Sequence, residues 1–238
     1  MSGLADRWEL VGEGLVAFAR ARSLTWPLPE GMTRAPGPAM VTALRYTDST
    51  VGPFLELAVA LPARIGGHFG WCRTLVVVDR GEVRNALRAH WGLPCAVGTL
   101  RWLAREESRE LVWEERDLVV RGRGRGPVVP WMAPQPLFLE RNREPVIAPG
   151  RARGTLKVAR VTVHTYPGDD LAALAGGHPG AVLRGLHHVR GPARVVRTAP
   201  VLAPRAAGSP EPVLFDPVRF ERFSHEPVRC DVVGSNLR

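Results

Sequence analysis

Residues Phe54 to Leu61 constrain this chain more than any other stretch. Leu55, Leu57, Val59 and Leu61 fall on one face of an alternating strand, and Phe54, Glu56, Ala58 and Ala60 fall on the other. The unbroken alternation makes this a strand with two distinct faces. A carboxylate flanked by alanines on the second face suggests a hollow with Glu56 pointing into it, against the plainer alternative of a glutamate on a solvated face.

The rest of the pattern is that of a mainly β protein. Met40 to Tyr46 reads as a strand, Thr47 to Pro53 as a turn, and Trp71 to Val78 as a further strand. Trp8 to Ala19 is ambiguous, because Leu4, Trp8, Val11, Leu15 and Phe18 have helical spacing. Gly12 and Gly14 would each cost a helix about 1 kcal/mol, and they favour a strand. Val97 to Leu103, Glu110 to Glu114 and Leu118 to Arg121 read as a meander. Arg121 to Gly126, alternating Arg and Gly, reads as a solvated turn at a strand end. The proline-rich span from Val128 to Pro149 reads as a long irregular connection. Thr155 to Thr165 is a strand, Leu171 to Leu174 and Gly180 to His187 are short helical candidates, and Ala193 to Thr198 is a last strand.

Between these lies Asp79 to Ala96. Asp79 and Glu82 have the spacing of a capping box, Val83, Ala86, Leu87 and His90 share a helical face, and Gly92 with Pro94 stops the helix. A strand, a helix and a rigid Gly-Leu-Pro exit present the next side chain, Cys95, from a fixed backbone. This stretch resembles the signature of the acetoacetate decarboxylase family, in which a Gly-Arg-Glu-like helix, an aromatic and a short step lead to Pro-Lys-Lys. Here Cys95 and Ala96 stand at the two lysine positions. Two further stretches carry the resemblance. Asp48-Ser to Glu56 is similar to the family's Asp-Ser-x-x-Gly-x-x-x-Glu, and Trp26-Pro-Leu-Pro-Glu-Gly resembles a step between its first elements. The Val-Thr-Val-His ending at His164 resembles a late family strand, so the likeness runs from about Trp8 to Val201.

The resemblance implies a closed or cone-shaped acetoacetate decarboxylase-like β-barrel with a few short helices, and assembly into homo-oligomers. It implies a pocket for a small carbonyl or carboxylate compound, and it carries over Glu56 as a cavity residue. Family decarboxylation proceeds through a Schiff base on a lysine activated by desolvation and a neighbouring cation. A thiol forms no iminium and an alanine supplies no cation, so the expected protein keeps the pocket without Schiff-base chemistry. The candidate site is Glu56, as general base or hydrogen-bond acceptor, and Cys95, lined by Phe54, Ala58, Trp91, Pro94, Ala96 and His164. The alternatives are a carbon–carbon lyase or other enzyme using Glu56 with Cys95 or with Lys157, and a scaffold or regulatory protein without catalysis. A nucleophilic Cys95 would need a nearby base such as His90 or His164. The family's active-site arginine has no clear counterpart, since Gly12 falls near its place.

Composition narrows the partners. The net charge is +9 over 238 residues, and Lys157 is the single lysine. The arginines are scattered from Arg7 to Arg238, without the stripe or interleaved aromatics of a nucleic-acid surface, so the excess reads as compositional bias. Cys72, Cys95 and Cys230 form no metal or disulfide spacing, and neither a metal nor another cofactor is expected. No apolar run reaches the roughly 18 residues of a membrane span, and the start lacks a secretory pattern, which points to the cytoplasm. The expected organisation is a barrel over residues 1–205 and an extension over 206–238. In that extension Val213 to Phe223 is apolar enough to pack on the barrel or on a neighbouring subunit.

Overall fold

The computed structural model describes residues 7–20, 24, 26–141 and 144–196. The expected domain boundary near residue 205 and the extension 206–238 lie outside the described residues. In chain order the elements are β1 (Trp8–Ala19), β2 (Thr33–Arg34), β3 (Ala39–Ser49), β4 (Phe54–Ile65), β5 (His68–Val78), α1 (Gly81–Trp91), β6 (Cys95–Val97) and β7 (Leu100–Arg105). They continue as β8 (Ser108–Trp113), β9 (Leu118–Pro134), β10 (Leu137–Arg141), β11 (Glu144–Ala148), β12 (Gly150–His164), β13 (Gly176–Arg190) and β14 (Arg194–Val195). Single 3-10 turns cover Glu114–Arg116 and Ala172–Leu174.

All fourteen strands join one sheet, in the order β14-β11-β10-β5-β4-β3-β1-β13-β12-β9-β8-β7, with β2 on β4 and β6 on β5. The ladder ends at β14 and at β7 and does not close on itself among the described residues. Both faces are covered. One core gathers Leu15, Val41, Leu57, Val59, Val77, Leu111, Val120 and Val161, so the odd-numbered face of β4 packs against β8, β9 and β12. The other gathers Trp8, Leu44, Tyr46, Phe54, Ala58, Val76, Trp91, Cys95 and Leu183, and sets α1 and β6 against the face that carries Glu56. Among the described residues no helix is long and apolar enough to cross a membrane.

Strand β1 forms as its glycines suggest. Gly12 and Gly14 lie against β3 so closely that a side chain at Gly14 would sit 2.6 Å from the Ala43 carbonyl oxygen. Helix α1 ends as expected, with Gly92 left-handed (φ 67°) and its N–H donating to the Arg88 carbonyl. It does not begin as expected. Its N-cap is Arg80, with no side-chain cap, and Asp79 instead accepts the Leu55 N–H at 2.9 Å, tying the helix start to β4. That bond takes the carboxylate a capping box would have used.

Three local expectations are corrected. The Arg-Gly repeat is not a turn but mid-strand in β9. Gly122 and Gly124 point inward, where a side chain would meet Leu15 at 2.8 Å and Lys157 at 2.9 Å, and the arginines point outward. The proline-rich span is not an irregular connection but carries the end of β9, then β10 and β11. From Arg125 onward β9 has β12 as its partner and β8 has ended, so prolines there remove no hydrogen bond that a second neighbour needs. Gly180 to His187 is not helical but lies within β13. Gly185 takes a left-handed turn (φ 54°) that slips the alternation by one, so Ala181 and Leu183 and then Leu186 and His188 share a face. Of the expected last strand, Arg194–Val195 forms β14, and residues 197 and 198 lie outside the described residues.

Candidate functional site

The site grows from a bulge. Along β4 and β5, Ala58 faces Val76 and Val59 faces Leu75, but Ala60 then faces Arg73, leaving Thr74 as the extra residue. The insertion turns Arg73 onto the face of Glu56 and Ala58, as bulges beside sites commonly re-aim a side chain. Arg73 starts opposite Ala60, and its guanidinium runs back past the small Ala58 to donate from Nη1 to Glu56 Oε2 at 2.8 Å. Ala58 and Ala60, which follow Glu56 on this face, leave room for that long side chain.

Both partners are buried, Glu56 to 3% exposure and Arg73 to 7%. The solvated-face reading of Glu56 therefore fails. Burial alone would lower the Arg73 pKa, but Glu56 and the Tyr46 hydroxyl outweigh it and hold the guanidinium above its ordinary value. Tyr46 is pushed the other way from ionising, by burial first and by the Glu56 charge second. Glu56 Oε1 has no hydrogen-bond partner among the described residues.

Two groups from the end of β13 complete the cluster. Arg190 is 3% exposed, lies over the Trp91 ring at 5.0 Å, and places Nη2 3.5 Å from His188 Nε2. Among the described residues no carboxylate is within salt-bridge distance of it. Burial and then Arg73 lower its pKa to about 10, which leaves it charged at neutral pH. Burial, followed by Arg190, Arg73 and His187, drives the His188 imidazole well below its ordinary value, so it is neutral. Gly150, beside the ring, is required by the Gln135 carbonyl oxygen, which a side chain there would meet at 2.6 Å. One carboxylate and two guanidiniums give the buried cluster one excess positive charge.

A hollow of about 590 Å³ lies on the same face, between β1, β3, β5, β9, β12 and β13. Arg73, His188, Thr42 and Gln135 are the polar groups of its wall, and Leu44, Trp71, Trp131, Leu156 and Leu183 are among the apolar ones. A second hollow, about 570 Å³, opens at the edge of β5 between β10 and β6 and shares Arg73 with the first.

The residues expected from the sequence come together only in part. Phe54, Ala58, Trp91 and Cys95 share one core and Glu56 is buried beside them on the face of Ala58, yet none of the five lines the larger hollow; Arg73, bonded to Glu56, is the group that reaches its wall. Pro94 lines the second hollow instead. Ala96 is exposed, and so is His164, which pairs with Val119 at the end of β12. Cys95 is 1% exposed and pairs with Val76, while its carbonyl accepts Arg88 Nε at 2.9 Å. Burial, then the Glu56 charge, pushes its thiol up to about 12, the reverse of what a nucleophile needs. Lys157 donates to Glu107 at 2.9 Å and is absent from the wall that Leu156 and Val158 form. Among the described residues no group of His, Cys, Asp and Glu is placed to hold a metal ion. Arg73, Arg190 and His188 were missed. The available signal was one arginine in the apolar run Trp71 to Val78, but alternation counted back from Val76 puts it on the wrong face.

Comparison of the whole backbone with solved structures decides the fold. The enduracididine biosynthesis enzyme MppR complexed with pyruvate superposes with a TM-score of 0.60 at 14% identity, over 81% of this chain and 91% of that one. The acetoacetate decarboxylase of Legionella pneumophila gives 0.57 at 13% identity, over 79% and 86%. The fold is acetoacetate decarboxylase-like. An acetoacetate decarboxylase-like enzyme from Sphingomonas wittichii RW1 agrees, with a TM-score of 0.55 at 13% identity over 80% and 92%. No family profile and no curated protein matches the sequence itself.

Proposed function

We propose that this acetoacetate decarboxylase-like protein binds a small carbonyl or carboxylate compound in the larger hollow and does so without a Schiff base. The observation that carries the reading is the buried Glu56–Arg73 pair, whose guanidinium forms part of the hollow's wall. A pair this deep gains less from mutual attraction than it loses in hydration, and is better explained by a polar ligand it orients than by stability. Glu56 acts through Arg73: it fixes the guanidinium, which presents its remaining N–H donors to a carbonyl or carboxylate oxygen. No iminium step follows, because Cys95 and Ala96 stand at the helix exit and the single lysine is engaged by Glu107. An enzyme of similar fold fits this reading: MppR has been solved with pyruvate, and with the condensation product of pyruvate and imidazole 4-carboxaldehyde. The barrel-like scaffold, a homo-oligomeric assembly and a cytoplasmic address belong to the same proposal.

The test is borohydride trapping with pyruvate and a panel of β-keto acids, read by intact mass, beside thermal shifts with the same compounds. The expected result is no reduced adduct, together with ligand-dependent stabilisation that Arg73→Met abolishes. A reduced adduct that disappears in Lys157→Ala would overturn the proposal.

A further inference from the structure

The hollow is larger and more apolar than a three- or four-carbon keto acid requires; Arg73, His188 and Gln135 stand toward one end, and Thr42 is the one polar side chain further along. At roughly 30 Å³ per heavy atom, the share of a water molecule, such an acid fills about a third of the 590 Å³. The strand registers give the direction. Glu56, Leu44, Leu183 and Leu156 form one row across the sheet, and Ala58, Thr42, Ala181 and Val158 form the next. Beyond them Ala60, Met40 and Phe18 are level with the Arg73 backbone. The Arg73 guanidinium, reaching back to Glu56, therefore sits toward the His188 and Arg190 end. Away from it the wall is Val16, Met40, Trp71 and Pro179, and the rim is open and apolar, with Phe18 37% and Val158 65% exposed.

Charge reinforces this division. Glu56 answers only one of the cluster's two buried guanidiniums, and Arg190, beside His188, has no carboxylate within salt-bridge distance among the described residues. A buried cation without a counter-ion is costly, and a ligand anion at this end would relieve that cost. The Trp131 indole N–H, on the same wall, is also buried without a partner among the described residues.

From this geometry we infer that the ligand is a monocarboxylate with an extended apolar tail, about 10–18 heavy atoms in all by the same volume yardstick. Its carboxylate lies at the Arg73–His188 end within the field of Arg190, and its tail runs past Trp71 and Leu156 to the Phe18–Val158 rim. The inference rests on the proposed binding reading and narrows its ligand class.

The experiment titrates the full chain calorimetrically with straight-chain monocarboxylates from butyrate to decanoate and with the alcohols of equal length, and includes pyruvate as a short keto acid. Affinity is expected to rise about three- to fourfold per added methylene. The acid is expected to bind at least about tenfold tighter than its alcohol, as a charge-assisted contact implies. Arg190→Met should collapse the preference for acid over alcohol and leave the rise with chain length. Val158→Glu, at an exposed position that cannot unfold the core, should lower the decanoate-to-butyrate affinity ratio at least tenfold. Binding of pyruvate and butyrate with no gain along the series would overturn the tail and leave the proposed function standing. Absence of binding by every acid, pyruvate included, would overturn both. Equal binding of acid and alcohol would overturn the headgroup assignment.

Discussion

Replacing Glu56 by Gln should be the most damaging isosteric change in this fold, and the charge count says why. The native cluster holds Glu56, Arg73 and Arg190, a net +1 within a region where Glu56 and both arginines are at most 7% exposed. Glu56→Gln raises the buried charge to +2 and leaves both guanidiniums without a counter-ion. Removing one member of a buried pair costs about 3–5 kcal/mol, so this variant should lose that much. Arg73→Met instead takes the cluster's net charge to zero, with Arg190 remaining to balance Glu56; the cost should be about 1.5–3 kcal/mol, that of a charged hydrogen bond. The double variant returns to +1 and should be less damaged than Glu56→Gln alone. Urea unfolding followed by circular dichroism measures all four proteins. With a slope of roughly 2–3 kcal/mol per molar urea, Glu56→Gln should lower the midpoint by about 1–2.5 M. A cost below about 1 kcal/mol for Glu56→Gln, or single costs that simply add in the double variant, would refute the reasoning, because either means the charges do not feel one another.

Two further outcomes follow from the same environment. Below about pH 6.5 the unfolded chain binds a proton at His188 that the folded chain refuses, since burial and the neighbouring arginines depress its imidazole pKa. Stability should therefore fall as pH drops through that value, by up to about 1.4 kcal/mol per pH unit. Urea midpoints between pH 7 and 5 should show the slope, and His188→Gln should reduce it; an unchanged slope would place the sensitivity elsewhere. With its thiol near pKa 12, Cys95 should carry about a thousandfold less thiolate at pH 8 than an ordinary cysteine. Peptide-resolved alkylation should leave it unmodified until the protein is unfolded, and rapid labelling of the native protein would restore it as a nucleophile.

How much of this was legible in the sequence depended on whether alternation ran unbroken. Strand β4 has no irregularity through Val59, so both of its faces and the burial of Glu56 followed from period two. The acetoacetate decarboxylase-like fold was legible in short motifs, although identity to the solved structures is only 13–15%. What failed were places where one residue shifts the count. The Thr74 bulge hides Arg73, and the slip at Gly185 hides the common face of Leu183 and His188 and makes β13 resemble a helix. The Arg-Gly repeat failed for another reason. Glycine on an inward face leaves no hydrophobic signal, yet Gly122 is closely packed against Leu15 and Val161. Arg190 had no local signal at all, since its burial is made by Trp91 and His188 from distant segments.

The bulge also bears on what chemistry the hollow can support. The helix exit, where the family resemblance implies an amine, presents a buried thiol that stays protonated. The positive charge enters instead from β5 and β13 as guanidinium. A lysine in such a place can shed its proton and attack a ketone, because burial lowers its pKa readily. Guanidinium keeps its proton: Arg73 is held above its ordinary value, and Arg190 at about 10 is still charged at neutral pH. Charge that persists throughout the neutral range gives a fixed field that can orient an anion or polarise a carbonyl, but offers no free electron pair for a covalent intermediate. The protonated thiol of Cys95 and the placement of Arg73 thus both fit the proposed recognition of an anion by permanent charge at one end of an apolar hollow.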